Sequence, residues 1–265
     1  MFEKLKKRLH EWRYGKNIYL VYTMGKVGST TFETALEKQY KFLPVFKLHF
    51  LSDYWIKEVI PKMAEGFHQN IGIARQFEKF RSAHPDYRLK IITMVREPVS
   101  RDISDIFQNW QIFFDTNRIS ELSPQKILDY LGHHKFEYTL NWFDTEFKKW
   151  TGKNIYEMKF DKEKGYTIWS FEEFDLLCVK LEKLDSVLKE ASREFFRFDI
   201  SAEVKANTAE EKDIKDLYRL VMRDFKLNPV QEDLVYHSKL VNHFYTAEEI
   251  AQQRSRWTRS PKSIT

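Results

Sequence analysis

The stretch Ile18-Tyr19-Leu20-Val21-Tyr22-Thr23, followed by Met24-Gly25-Lys26-Val27-Gly28-Ser29-Thr30-Thr31 and by helical spacing from Phe32 onward, reads as strand, glycine loop and helix. Gly25 and Gly28 let the backbone curl with its amides turned inward. A helix starting at Ser29 adds unsatisfied N–H groups and the positive end of its dipole, and the hydroxyls of Ser29, Thr30 and Thr31 supply further donors. The ligand suited to such a loop is an oxyanion. Residue order narrows the choice. A nucleotide kinase or GTPase loop reads Gly-x-x-x-x-Gly-Lys-Ser/Thr, with its lysine behind the final glycine. Here Lys26 precedes Gly28, which predicts a lysine at the mouth of the loop, within reach of a bridging or leaving-group oxygen. The plainer alternative, a glycine turn joining strand to helix, leaves the lysine and the three hydroxyls as coincidence.

Outward from the loop, short apolar runs recur at 17–23, 44–50, 89–95, 154–160 and 174–181. Between them, apolar spacing predicts helices at 30–40, 54–65, 71–83, 99–114, 124–133 and 137–150. That alternation predicts an α/β fold with a central parallel sheet. After 181 the chain reads as helical at 183–196, 210–225, 229–236 and 247–256, with short polar breaks between. With 8 Gly, 7 Pro, no repeat and no low-complexity linker, residues 1–265 are expected to form a single domain with a helical C-terminal region. Residues 258–265 read as a flexible tail.

A second informative stretch is Lys90-Ile91-Ile92-Thr93-Met94-Val95, then Arg96-Glu97-Pro98-Val99-Ser100-Arg101-Asp102-Ile103-Ser104. An apolar strand again delivers a charged residue at its carboxyl end, the edge at which open α/β sheets bind ligands. Pro98 suits the first turn of the next helix and puts Ser104 about two turns in. Arg96 and Ser104 are therefore candidates for one phosphate.

Together, Lys26-Val27-Gly28-Ser29-Thr30 and Arg96-Glu97-Pro98…Ser104 resemble the sulfotransferase superfamily that uses 3'-phosphoadenylyl sulfate (PAPS). In that family a Lys-x-Gly-[Ser/Thr]-Thr loop holds the 5'-phosphosulfate and an Arg-x-Pro…Ser element holds the 3'-phosphate. Asn207-Thr208-Ala209-Glu210-Glu211-Lys212 and Asn242-His243-Phe244-Tyr245-Thr246 are similar to the bacterial capsular polysaccharide synthesis proteins named after an Asn-Lys-Trp-Tyr-Ser signature. The Trp-Tyr part is replaced here by Asp213-Ile214. The resemblance implies a P-loop-like three-layer sandwich and transfer of a sulfuryl group from PAPS to a hydroxyl acceptor, with adenosine 3',5'-bisphosphate as product and a carbohydrate as the acceptor. It also implies cofactor contacts from Gly25, Lys26, Val27, Gly28, Ser29, Thr30, Thr31, Arg96 and Ser104, with Lys205, Asn207 and Lys212 as further candidates in a charged loop. A P-loop nucleotide kinase or hydrolase, or a non-catalytic nucleotide-binding protein of capsule synthesis, is the alternative.

Sulfuryl transfer needs in-line geometry and charge stabilisation at the leaving oxygen, but no obligatory metal, and none is expected. Lys26 is the residue for the leaving oxygen. His49, in Phe46-Lys47-Leu48-His49-Phe50-Leu51, is the candidate general base, since its near-neutral pKa suits proton removal from a hydroxyl. A core histidine is the competing reading, with Asp53 as the next candidate base. The adjacent His133 and His134 are expected to face solvent.

Composition agrees with an enzyme-sized globular chain. Of 265 residues, 42% are hydrophobic and 16% aromatic, which excludes a disordered or fibrous protein. The formal net charge is +5, which favours an anionic ligand while leaving nucleotide, acidic glycan and membrane open; with these motifs, no nucleic-acid partner is expected. Cys178 is the sole cysteine and sits in an apolar run, as an inert core thiol does. Residues 1–16 are too charged for a signal peptide, so a cytoplasmic location is expected. In that segment Phe2, Leu5, Leu9 and Trp12 fall on one helical stripe among Lys4, Lys6, Lys7, Arg8 and Arg13, which suits either an anionic membrane or, more simply, packing on the chain's own domain.

Overall fold

The computed structural model describes residues 2–39, 42–62, 68–116, 118, 121–200 and 212–258, the side chains of 38, 39, 62, 212 and 213 excepted. In chain order the elements are α1 (Phe2–Tyr14), β1 (Asn17–Tyr22), α2 (Ser29–Gln39), β2 (Val45–Leu48), α3 (His68–Ala83), β3 (Arg88–Val95), α4 (Pro98–Gln108), α5 (Trp110–Phe114), α6 (Pro124–Gly132), α7 (Glu137–Trp142), α8 (Lys148–Thr151), β4 (Tyr166–Ser170), β5 (Phe174–Lys180), α9 (Leu184–Phe196), α10 (Lys212–Asp224), α11 (Pro229–Tyr236), α12 (Lys239–Phe244) and α13 (Ala247–Trp257). Two π-helical turns, Tyr54–Val59 and Phe143–Phe147, interrupt this series. The described residues fall into two compact units, one within Met1–Val95 and Phe143–Val204, the other within Arg96–Trp142 and Lys205–Thr265.

The first unit is α/β. Its five strands are ordered β2-β1-β3-β5-β4, with β1, β2, β3 and β5 parallel and β4 antiparallel at the edge. All six residues of β1 are buried, as expected of a central parallel strand, and so is Cys178 on β5. Alternation along the strands sends side chains to two helical layers. Tyr19 meets Phe196 of α9, which also contacts Phe32 of α2. The opposite face carries Tyr22 against Phe147 and Trp150, and Phe46 against Phe77 of α3. The chain leaves β1 for β2 on one side and resumes with β3 on the other, so the order reverses between β1 and β3. A reversal of this kind opens a crevice at the carboxyl ends of the strands.

The second unit is helical. α4 packs on α5, α7 and α10, α10 on α6, and α11 on α12 and α13. Its core includes Ile103, Ile106, Leu131, Val221, Phe244 and Trp257.

Several expectations are corrected. The run 154–160 is not a strand: the Asn154 side chain accepts from the Tyr156 amide and starts a short 3-10 turn at Ile155–Glu157. Strand β4 was not foreseen, being a half-exposed edge strand of five residues. The helix predicted at 99–114 breaks at Asn109, and α12 occupies what reads as a polar break, capped by Ser238. Helix α1 does pack on the first unit, as one of the two readings expects, but through His10 and Tyr14, whose rings meet Phe198, while Phe2, Leu5, Leu9 and Trp12 are exposed. The predicted tail lies outside the described residues except for Thr258.

Candidate functional site

The glycine loop joins β1 to α2 in the first unit. Lys26 (φ 67°) and Gly28 (φ 84°) both adopt the left-handed conformation, with Val27 between them. Left-handed residues alternating with ordinary ones turn successive amides to one concave side. For lysine that conformation is strained, and strain of this kind collects where a loop is shaped for a ligand. Gly28 has a second constraint. A Cβ there would stand 2.5 Å from Leu181 Cδ1 and 3.4 Å from Met94 Cε. Leu181 directly follows β5 and Met94 is the penultimate residue of β3, so the loop lies over the carboxyl ends of the central strands. Thr31 donates its amide to Gly28 O at 3.0 Å, closing the turn into α2. Val27 and Ser29 are buried, Gly25, Lys26, Gly28 and Thr31 half-buried, and Thr30 exposed.

His49 follows β2 and reaches this loop. Its Nδ1 lies 2.6 Å from Thr23 O, the carbonyl at the start of the loop. A carbonyl only accepts, so Nδ1 carries the proton and, in the neutral ring, Nε2 holds the basic lone pair. The backbone around His49 is fixed from two sides. Asn70 on α3 accepts from His49 N (3.1 Å) and donates to Phe50 O (2.8 Å). The fully buried Glu146, in the π-helical turn Phe143–Phe147, accepts from the amide of Leu51, from Ser52 N (2.8 Å), from Ser52 Oγ (2.5 Å) and from Tyr22 Oη (2.5 Å). Two side chains thus bind the main chain of four consecutive residues, 49–52. A cavity of about 700 Å³ begins two residues past His49, lined among others by Leu51, Ser52, Tyr54, Arg75, Lys149 and Trp150. Asp53, the alternative base, is exposed and paired with Lys57 at 3.0 Å.

In the second unit, Arg96 is half-buried and immediately precedes Glu97, the N-cap of α4. Glu97 accepts from Val99 N (2.9 Å), Ser100 N (2.7 Å) and Trp257 Nε1 (3.2 Å). Burial pushes its carboxyl above the ordinary range, against the opposing pull of those hydrogen bonds. The first amides of α4 are therefore already occupied, and an anion at this segment has the Arg96 and Ser104 side chains to bind. Ser104 Oγ donates to Ser100 O at 2.9 Å, and Tyr218 Oη of α10 lies 3.3 Å from it as the donor. Next to it, Asp102 accepts from Arg101 Nη1 (2.9 Å) and Thr139, and lies 2.7 Å from His134 Nε2. Burial would raise its pKa, but Arg101, His134 and Thr139 outweigh that and hold it low. His134 is thus half-buried in a network rather than solvent-facing: it lies past the end of α6, against the buried Asp102, while its neighbour His133 stays exposed. Lys205 and Asn207 lie outside the described residues; Lys212 begins α10, with its side chain outside them.

Sequence reasoning missed Thr23 O, Asn70, Glu146 and Tyr218. Each acts across tens of residues, through a carbonyl or an unremarkable polar side chain that no local spacing marks. Trp142, Phe143 and Trp110 prove to be core, and Trp55 stacks on Phe50 at 4.4 Å.

Residues 132–246, under half of the chain, match the model of a family described as "NKWYS: Putative capsular polysaccharide synthesis protein". The matched range includes Glu146 and the segments 207–212 and 242–246, and excludes the glycine loop and Arg96–Ser104. No curated protein and no solved structure matches the chain.

Proposed function

We propose that this protein is a sulfuryltransferase with a P-loop-like first unit, which moves the sulfuryl group of PAPS to a hydroxyl of a polysaccharide of the capsule type. The observation that carries the reading is the His49 Nδ1 to Thr23 O bond, which ties the basic histidine to the first residue of a strained glycine loop bearing Lys26. The loop amides and the hydroxyls of Ser29, Thr30 and Thr31 take the 5'-phosphosulfate. The acceptor oxygen attacks sulfur in line, its proton passes to His49 Nε2, and the sulfur–oxygen bond to the 5'-phosphate breaks as the new one forms. Lys26 stabilises charge on the departing phosphate oxygen. The acceptor occupies the cavity beside Leu51 and Ser52, where Tyr54, Arg75 and Lys149 together with Asp53 and Glu78 offer donors and acceptors to a hydroxyl-rich chain. The polysaccharide assignment rests on the family match, and the residue roles on the motifs and the loop geometry.

Labelled-PAPS transfer to capsule-type polysaccharides tests this. His49→Ala is expected to lower turnover about a hundredfold to ten-thousandfold at unchanged nucleotide affinity, and the wild-type rate to fall as acid protonates the imidazole. Lys26→Gly relieves the left-handed lysine, so it is expected to be about 1 kcal/mol more stable yet inactive. Activity within a fewfold of wild type in either variant contradicts the assignment.

A further inference from the structure

Helix α1 is fastened to the first unit by one side and presents an apolar stripe on the other. His10, the buried residue of the helix, meets Phe42 at 5.4 Å and Phe198 at 5.5 Å, and Tyr14 meets Phe198 at 5.2 Å. Glu11 accepts from Tyr87 Oη at 2.6 Å and pairs with Lys7 at 3.6 Å. The docked side therefore uses up one acidic side chain of the helix. The outward stripe is Phe2, Leu5, Leu9 and Trp12, whose exposures are 69, 55, 57 and 85%. At 3.6 residues per turn these four fall within an arc of about 80°. Arg13 and Lys6 lie on one shoulder of that arc, Arg8 and then Lys4 on the other, while Glu3 and Glu11 point away from it.

We infer that α1 is an interfacial anchor that lies in the plane of an anionic phospholipid surface, with Phe2, Leu5, Leu9 and Trp12 immersed at the headgroup boundary. The charge pattern selects this occupant. An apolar stripe with basic shoulders and no acid beside it complements a bilayer that is apolar within and anionic at its surface. A second copy of the helix would set basic shoulder against basic shoulder. Tryptophan suits the membrane interface, and Lys6, 4.5 Å over the Phe2 ring, is placed to extend its ammonium toward headgroups. Among the described residues no helix is long and apolar enough to cross a membrane, so the contact is peripheral. An enzyme acting on membrane-bound polysaccharide would gain by such an anchor, but the inference stands on α1 alone.

Co-sedimentation of the full chain with phosphatidylcholine vesicles, and with vesicles of phosphatidylcholine mixed with phosphatidylglycerol, decides it. Binding is expected on the mixed vesicles only and should weaken with added salt. Leu9→Ser and Trp12→Ser should each weaken it about tenfold, and Arg13→Ser about fivefold. All three sites are exposed, so unchanged thermal melts would confirm intact folding. Sedimentation velocity separates the rival occupant. Failure to bind either vesicle, equal binding to neutral vesicles, or a wild-type dimer that Trp12→Ser dissociates overturns the inference.

Discussion

Glu146 of the first unit and Glu97 of the second are both removed from solvent and both accept from main-chain amides, yet across very different spans of sequence. Glu97 serves amides two and three residues ahead and ends at an indole N–H. Glu146 serves residues more than ninety positions earlier, and one carboxylate there holds the segment after β2 to the end of β1. A local cap shapes one helix start. A remote carboxylate fixes one loop relative to another, and here the loop it fixes leads out of His49.

Glu146→Ala should therefore cause the larger loss. It strands Tyr22 Oη, Ser52 Oγ and two amides, and with each buried donor worth about 1–3 kcal/mol and partly rescued by water, we expect about 3–5 kcal/mol in chemical denaturation. Transfer activity should fall as well, since the segment bearing His49 loses its anchor. Glu97→Ala should cost about 1–3 kcal/mol, the loss of a cap and of an indole partner. Equal losses would mean that Glu146 is no more than another cap.

The acidity of Glu97 gives a further prediction, of smaller effect. The native pKa of Glu97 is raised by burial, so the native state holds that proton more tightly than the unfolded chain does. Its contribution is fully present below the ordinary carboxylate pKa and is lost as pH rises through the native value. The stability of the wild type relative to Glu97→Gln should accordingly shrink as pH rises above the ordinary carboxylate range, in denaturation series at successive pH values. A gap that widens with pH refutes the raised pKa.

The same contrast marks what could be read in the sequence. The central strands β1, β3 and β5 were legible because they are apolar runs, as in Ile18-Tyr19-Leu20-Val21-Tyr22, and the edge strand β2 because apolar residues flank its one lysine. The edge strand β4 was not, since only one of its five residues is fully buried and only pairing with β5 defines it. The run 154–160 misled because Ile155, Tyr156 and Phe160 mimic a strand, while Asn154 turns the chain through a side-chain bond that composition does not reveal. At the site, Gly28 and the lysine before it announce a loop. That Gly28 must be glycine because Leu181 presses on it is a tertiary fact, as is the carboxylate of Glu146. The stripe on α1 was visible, but which side of the helix docks was set by His10 and Tyr14 finding Phe198, more than 180 positions later.

Binding of adenosine 3',5'-bisphosphate, followed by calorimetry without added metal, tests the central claim most directly, because it needs no knowledge of the acceptor. The account predicts saturable binding, about tenfold to a hundredfold tighter than that of adenosine 5'-monophosphate and weakened by a similar factor in Arg96→Ala, one charge-assisted phosphate contact being worth about 1.5–3 kcal/mol. It also predicts loss of binding in Gly28→Val, where the added side chain meets Leu181. No binding of the bisphosphate, or equal affinity for the two nucleotides, would contradict it.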